Sequence, residues 1–291
     1  MSPFKNLNLH PKLLSAIEKK GYKTPTPIQK KAVPELMKGG DLLGIAQTGT
    51  GKTAAFSWPI ISLLYKKKVK TKRNNVRALI LTPTRELASQ ISENIRAYSE
   101  GMNIFCGVIF GGVGKKGQIT MMNKGCDILI ATPGRLVDLM ADGYIEFDQL
   151  DIFVLDEADR MLDMGFIHDL RKIMKKLPKK KQTMLFSATM PESISSLAHS
   201  LLVKPVQIEV TPESSTVEKI DQKIYMVNKT DKLSLLKSIL SSDDLKSVLV
   251  FSRTKHGADR IVKELKKIEI PSEAIHGNKS QGARERALKN F

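Results

Sequence analysis

Ala46-Gln47-Thr48-Gly49-Thr50-Gly51-Lys52-Thr53 lies between a short apolar run, 42–46, and a helical pattern, 54–64. A strand, a glycine-bearing turn and a helix in that order build a phosphate cradle. The backbone N–H groups of the turn and the positive end of the helix converge on an anion. Lys52 is placed to reach the β- and γ-phosphates of a nucleotide, and the Thr53 hydroxyl to ligate Mg2+. The stretch therefore predicts a nucleoside triphosphate site. The general pattern opens on Gly where this chain has Ala46, so the reading rests on Gly49, Gly51, Lys52 and Thr53.

Working outward, apolar runs alternate with amphipathic ones. Strands are expected at 42–46, 78–82, 104–109, 128–131, 152–155, 183–187 and 206–210, with helices between them at 85–100, 134–141, 166–177 and 192–202. Near-continuous apolar strands separated by helices imply an α/β fold: a parallel sheet covered by helices on both faces. Ligands of such sheets bind at the carboxyl ends of the strands, where the phosphate loop falls. This first domain is read as 1–210, followed by a polar linker, 211–219, that begins Thr211-Pro212-Glu213-Ser214-Ser215. The alternation restarts over 220–291, with strands at 223–227, 247–251 and 272–275 and helices at 229–240, 255–267 and 281–291. Three β/α units are few for an independent α/β domain, so the second domain is expected to be incomplete.

Composition narrows the partners. The chain has 291 residues and a formal net charge of +17 with 41% hydrophobic residues, a globular composition facing polyanions, nucleic acid first among them. Its two basic runs, 66–73 and 175–181, sit between helix and strand patterns and read as surface loops. Neither interleaves aromatics, so neither is a base-stacking platform. Cys106 and Cys126 have no metal-ligand spacing and suit buried positions in a reducing compartment. No apolar run is long enough to span a bilayer, and Met1-Ser2-Pro3-Phe4-Lys5-Asn6 has no signal-peptide character. A cytoplasmic monomer is expected.

Asp156-Glu157-Ala158-Asp159 follows the apolar run 152–155. Acidic residues favour a helix start for dipole reasons alone. With a phosphate loop upstream, the reading changes: Asp156 holds Mg2+, directly or through water, and Glu157 orients and deprotonates the attacking water.

The loop and the acidic tetrad together resemble motifs I and II of the DEAD-box ATP-dependent RNA helicases, and other family motifs follow in order. Gly21-Tyr22-Lys23-Thr24-Pro25-Thr26-Pro27-Ile28-Gln29 resembles the Q motif, with Phe4 at the upstream aromatic position. Pro83-Thr84-Arg85-Glu86-Leu87-Ala88, Gly111-Gly112 and Thr132-Pro133-Gly134-Arg135 resemble RNA-contacting motifs. Ser187-Ala188-Thr189 resembles motif III, Val248 to Thr254 with Arg253 motif IV, and Gln281 with Arg284 the motif after it. Ala46 is the residue this family usually carries there. The wording of the Q-motif region is similar to the bacterial RhlE-like branch.

The resemblance implies two RecA-like domains, ATP with Mg2+ between them, and RNA crossing both. It places Gln29, Tyr22 and Phe4 at the adenine, Ser187 and Thr189 against the acidic tetrad, and Pro83, Thr84, Arg85, Gly112, Thr132, Pro133, Gly134, Arg135, Arg253, Gln281 and Arg284 along the RNA. Physically, a Gln amide both donates and accepts, so Gln29 can read an adenine edge. Small backbones, hydroxyls and guanidinium groups past strand ends suit sugar–phosphate contacts, which are sequence-tolerant and salt-sensitive. The same residues also read as helix caps (Thr84, Thr132 with Pro133) and turn glycines.

Two family motifs, one containing Ala-Arg-Gly and one His-Arg, do not occur within the 291 residues. The second carries the arginine fingers, worth about 10³–10⁵ in turnover. The chain by itself is therefore expected to hydrolyse ATP poorly, as though cut before these motifs. Strand separation of short RNA duplexes, or RNP remodelling in ribosome assembly or RNA turnover, is the leading function. A non-catalytic ATP-gated RNA clamp and a DNA translocase are the alternatives.

Overall fold

The computed structural model describes residues 3–210, 221–242 and 245–291. The chain divides into two compact units between Ser214 and Ser215. The expected linker, 211–219, lies outside the described residues.

The first unit is a seven-stranded sheet: β1 (Leu42–Ala46), β2 (Val76–Leu81), β3 (Cys106–Ile109), β4 (Cys126–Ala131), β5 (Ile152–Leu155), β6 (Gln182–Ser187) and β7 (Val206–Val210). Its order is β3-β4-β2-β5-β6-β1-β7, and every pairing is parallel. The helices are α1 (Pro11–Lys19), α2 (Pro27–Met37), α3 (Lys52–Lys66), α4 (Arg85–Tyr98), α5 (Lys115–Met122), α6 (Pro133–Ala141), α7 (Ala158–Asp163), α8 (Ile167–Met174) and α9 (Glu192–Leu201).

Successive strand residues point to opposite faces, so an apolar run buried on both sides feeds two cores at once. Ala78 and Ile80 of β2 join Leu13, Ile28, Phe56, Trp58 and Ile91 of α1–α4 on one face. Leu79 and Leu81 join Leu136, Met161, Leu170 and Ile194 of α6–α9 on the other. Only β7, at the sheet edge, exposes most of its side chains. The seven expected strands all form.

Helix α2, not foreseen as a helix, carries its own start signal. Gln29 reaches back to cap the helix start, its Oε1 accepting from the Thr26 N–H, with Pro27 at the first helical position. Both cysteines are buried, and burial pushes the Cys106 thiol up to about 11.

The second unit contains α10 (Lys232–Leu240), α11 (Lys255–Lys266) and α12 (Gln281–Asn290), close to the expected helices. The strands expected at 223–227, 247–251 and 272–275 do not form among the described residues. Their apolar side chains stay open: Met226 is 95% exposed and Phe251 88%. A parallel strand is stabilised by neighbours in register and by cover on both faces, and among the described residues of this unit the buried apolar ones are Leu265 and Ala287. The helices persist because their hydrogen bonds are local, and α11 and α12 are also capped, by Thr254 on Gly257 and by Ser280 on Ala283.

Candidate nucleotide and nucleic-acid site

Strands β5, β6 and β1 are consecutive neighbours in the sheet, so their carboxyl ends bring three motifs to one place. At the end of β1 the chain turns through Gly49 (φ +85°) and Gly51 (φ +93°) into α3. The left-handed backbone favours glycine at both. Gly51 also needs the space: a Cβ there would lie 2.4 Å from the Gln29 Nε2. Thr50 Oγ1 donates to the Gln47 carbonyl at 2.7 Å, which tightens the turn. Lys52 is buried, and its Nζ donates to the Ala46 carbonyl at 2.8 Å, folding the ammonium back under the loop. Gln47 and Thr48 are exposed on the crest, and Thr53 is half-buried in the first turn of α3.

Gln29, 1% exposed, links the α2 cap to this loop. Its Oε1 accepts from the Thr26 N–H at 3.0 Å, and its Nε2 donates to the Gly51 carbonyl at 3.2 Å. A carboxamide keeps a second donor hydrogen and a second lone pair, so this leaves capacity for one more partner on each side. Tyr22 lines a shallow surface recess with Lys20 and Gly21. Its hydroxyl shares a 2.7 Å hydrogen bond with Tyr98, and its ring meets Trp58 edge-on at 5.5 Å. Phe4 is elsewhere: it is 1% exposed and packs edge-on against Trp58 at 5.8 Å. Phe4 thus supports Trp58, which supports Tyr22, and it presents no open face of its own.

Asp156 ends β5 and is 2% exposed. Burial pushes its carboxyl up to about 7, against the pull of the Lys52 ammonium and with the push of the Glu157 charge. Glu157 caps α7 in a left-handed conformation (φ +53°), an uncommon backbone for a residue with a Cβ. That twist turns its carboxylate to within 3.8 Å of the Arg160 guanidinium.

Asp159 joins β5 to β6. Its Oδ2 accepts from the Ala188 N–H at 3.1 Å, the Thr189 N–H at 2.9 Å and the Thr189 hydroxyl at 2.9 Å. Partial burial opposes its charge, but these bonds and the Arg160 N–H outweigh it and hold the carboxyl below the ordinary range. Ser187 is fully buried beside it. Asp159 was not singled out from sequence as this acceptor; its place one helical turn past Asp156 was the available signal.

The ends of β2, β3 and β4 carry the second group. Thr84 caps α4 by accepting from the Leu87 N–H at 3.2 Å, and Thr132 precedes Pro133 at the start of α6. The Arg85 guanidinium lies on Gly112 (φ +78°) so closely that a Cβ there would sit 1.9 Å from its Nη1. Arg135 donates to the Val113 carbonyl at 3.1 Å and to Gln118 Oε1 at 3.3 Å, while Gln118 donates to the Phe110 carbonyl at 3.1 Å. Arg135 is thus hydrogen-bonded to the loop after β3, and Arg85 packs against the same loop at Gly112. Pro83 and Thr132 are buried and Gly134, Thr84 and Arg85 half-buried, while the Arg135 side chain is 9% exposed.

Arg253, Gln281 and Arg284 belong to the second unit. Arg253 is exposed; Gln281 is 5% exposed and donates to Glu285 at 3.1 Å within α12. His276 meets Asp259 at 3.1 Å, and hydrogen bonds from Lys279 and His276 hold that carboxyl down at about 2.

Among the described residues no three His, Cys, Asp or Glu side chains gather as a metal site of their own. The Thr53 hydroxyl and the Asp156 carboxylate are hard oxygen donors of the kind Mg2+ takes together with phosphate oxygens. The cost of a buried Asp156 charge is what a bound cation would offset, so the donor set fits.

Residues 26–197 match the DEAD/DEAH box helicase family, and residues 231–291 match the helicase conserved C-terminal domain. The chain is 40% identical to the ATP-dependent RNA helicase vasa of Drosophila melanogaster over 99% of its own length and 44% of vasa. It is 38% identical to the DEAD-box ATP-dependent RNA helicase RhpA of Helicobacter pylori, over 99% of this chain and 57% of that protein. A crystal structure of a DEAD box protein from the hyperthermophile Methanococcus jannaschii is similar with a TM-score of 0.66 and 35% identity, over 99% of this chain and 76% of that one. The chain spans about half the length of the curated relatives it matches.

Proposed function

Because this chain belongs to the DEAD/DEAH box helicase family, we propose that it is the ATP-binding and RNA-contacting part of an ATP-dependent RNA helicase. One observation carries the reading: the phosphate loop, Asp156 with Glu157, and Ser187 with Thr189 end three adjacent parallel strands.

In this proposal the triphosphate lies over the Ala46–Thr53 loop. Lys52 exchanges its bond to the Ala46 carbonyl for the β- and γ-phosphates. The adenine lies toward Tyr22 and Gln29, whose remaining amide donor and acceptor give ATP selectivity. Mg2+, when bound, neutralises charge on the phosphate oxygens; Thr53 and Asp156 hold it. Glu157 takes the proton of the water that attacks the γ-phosphorus, and the bond to the ADP oxygen breaks. Thr84, Arg85, Gly112 and Thr132 to Arg135 hold RNA by its phosphates. Asp159 and Thr189 tie the acidic tetrad to β6, giving the nucleotide state a mechanical path to the neighbouring strand ends. Arg253, Gln281 and Arg284 add RNA contacts from the second unit.

RNA strain of this kind separates short duplexes or remodels RNPs, with ribosomal or RNA-turnover assemblies as the setting. Buried free cysteines and the absence, among the described residues, of a helix long and apolar enough to cross a membrane are compatible with a cytoplasmic monomer. The 291 residues alone should turn over slowly, since no arginine finger is among their motifs.

RNA-stimulated ATP hydrolysis tests the proposal. Single-stranded RNA should raise the rate, and Glu157→Gln should abolish it while ATP and RNA still bind. Hydrolysis by E157Q at the parent rate would refute the assignment.

A further inference from the structure

The strand ends opposite the nucleotide carry the two basic runs of the first unit, 66–73 and 175–181. We infer that the amino edge of the sheet, built from the loop entering β2 and the loop entering β6, is a second RNA-phosphate surface, separate from the Arg85 and Arg135 edge.

The two basic runs are distant in sequence and adjacent in the fold. In the register, Ala78 of β2 pairs with Ile152 of β5, and Ile152 pairs with Gln182 of β6. The entrances of β2 and β6 are therefore two strand spacings apart, about 10 Å. Asp151 joins them physically: its carboxylate accepts from Lys67 Nζ at 2.7 Å, and its carbonyl accepts from the Gln182 N–H at 2.9 Å.

The first loop is held in shape. Arg77, 4% exposed, donates to the Lys67 carbonyl at 2.6 Å and meets Asp127 at 3.5 Å. Thr71 donates to Asp127 at 2.6 Å, the Lys72 N–H to Gln149 at 2.7 Å, and the Asn74 N–H to the Met122 carbonyl at 2.9 Å. These bonds consume the nearby acidic and carbonyl acceptors from below. Asp127 is taken by Arg77 and Thr71, Asp151 by Lys67, and Glu146 by Asn75 at 3.2 Å. Of the acidic groups in the loop before β5, Glu146 and Asp148 remain exposed.

Lys68, Lys70 and Lys72 point out of the first loop and Lys179 and Lys180 out of the second, all exposed, with Lys181 half-exposed. Among the described residues none of these six makes an ion pair. At the other edge Asp156, Glu157 and Asp159 offset the cations, so a polyanion meets less opposition here.

Phosphate fits this surface better than protein does. Protein interfaces are depleted in lysine and centred on aromatic or aliphatic anchors, whereas the one large apolar side chain exposed in these loops is Val69, at 40%. Lysines on a fixed backbone with no base-stacking side chain give affinity without sequence preference. The strands separate this edge from the nucleotide by about 20 Å, at roughly 3.3 Å per residue. RNA held here would be tethered while a neighbouring segment is worked on.

The experiment compares the full chain with K68Q/K70Q/K72Q/K179Q/K180Q/K181Q, using a labelled oligouridylate without nucleotide. The variant should bind at least about tenfold more weakly at low salt. Its plot of log Kd against log salt should be shallower by up to about 4, at about 0.7 for each phosphate no longer neutralised. ATP binding and melting temperature should be unchanged, and R85A/R135A should lower affinity independently. An unchanged affinity and slope would overturn the inference. So would polyglutamate of matched charge displacing oligouridylate from this edge as well as RNA does, since that result assigns the surface to acidic proteins.

Discussion

Along the carboxyl edge of the first unit's sheet, the ends of β1, β6 and β5 differ in kind from the ends of β2, β4 and β3. On the first three, the functional groups hold one another: Lys52 on the Ala46 carbonyl and Gln29 on the Gly51 carbonyl, both buried, and the exposed Thr189 on the half-buried Asp159. On the last three, Arg85 and Arg135 lie against a loop, Arg85 partly open to water and the Arg135 side chain 9% exposed. A buried, mutually bonded site gives each atom a fixed place in a low dielectric, where a charge is worth several times its value in water. An open guanidinium is screened by salt and individually weaker. Chemistry therefore belongs to the nucleotide half, and sequence-neutral grip to the other.

The sharpest way to break this comparison is at Glu157. Removing a general base costs about 10²–10⁴ in rate. Glu157→Gln should lower RNA-stimulated kcat by that order and leave the ATP and RNA dissociation constants within about twofold, read by phosphate release and by equilibrium titration. A drop in RNA affinity of the same size would mean that the two halves are one site.

The second test acts on the other half. R85A/R135A should weaken single-stranded RNA binding by roughly tenfold and flatten its salt slope by about 1.4, at about 0.7 per phosphate. Nucleotide affinity without RNA should not move. Because both arginines also lie against the loop after β3, hydrogen exchange at 110–118 should quicken in the variant.

These two halves were unequally legible in the sequence. The loop, the acidic tetrad and the strand pattern could be read directly, since glycine and carboxylate placement is dictated by local backbone geometry. Phe4 could not: its position in the motif suggested the adenine, and the fold uses it beneath Trp58. An edge-on contact between residues far apart in sequence leaves no periodic trace. Asp159 was visible as a letter of the tetrad, but its three bonds to Ala188 and Thr189 depend on β5 and β6 being neighbours. In the second unit the helices were legible and the strands were misread, because a helix is satisfied by its own residues and a parallel strand by others.

Gly51 connects the cap of α2 to the phosphate loop, and Gly51→Ala should disturb both. The left-handed backbone costs a residue with a Cβ about 1–2 kcal/mol, and the new methyl would displace Gln29. The melting temperature should fall, and ATP affinity should fall more than GTP affinity, since the Gln29 amide carries the preference. Equal losses for the two nucleotides would separate Gln29 from base reading and leave Gly51 a purely local role.

The smallest effect has an unusual sign. Asp156 is buried with its carboxyl raised to about 7 from an ordinary value of 3.8. Between those values the folded state binds a proton that the unfolded state does not, so this group's contribution to stability falls as pH rises from about 4 to 7. Asp156→Asn removes the charge and keeps the shape, so with chelator and no nucleotide it should stabilise the protein, by about 1–2 kcal/mol at neutral pH. The gap in melting temperature between D156N and the parent should be small near pH 5 and should widen toward pH 8. Added Mg2+ and ATP should close it by raising the parent alone. That result would show the cost of burying Asp156 being offset by the ligand, whereas a gap independent of pH would mean that Asp156 is already ionised and paired, most directly with Lys52, in the empty site.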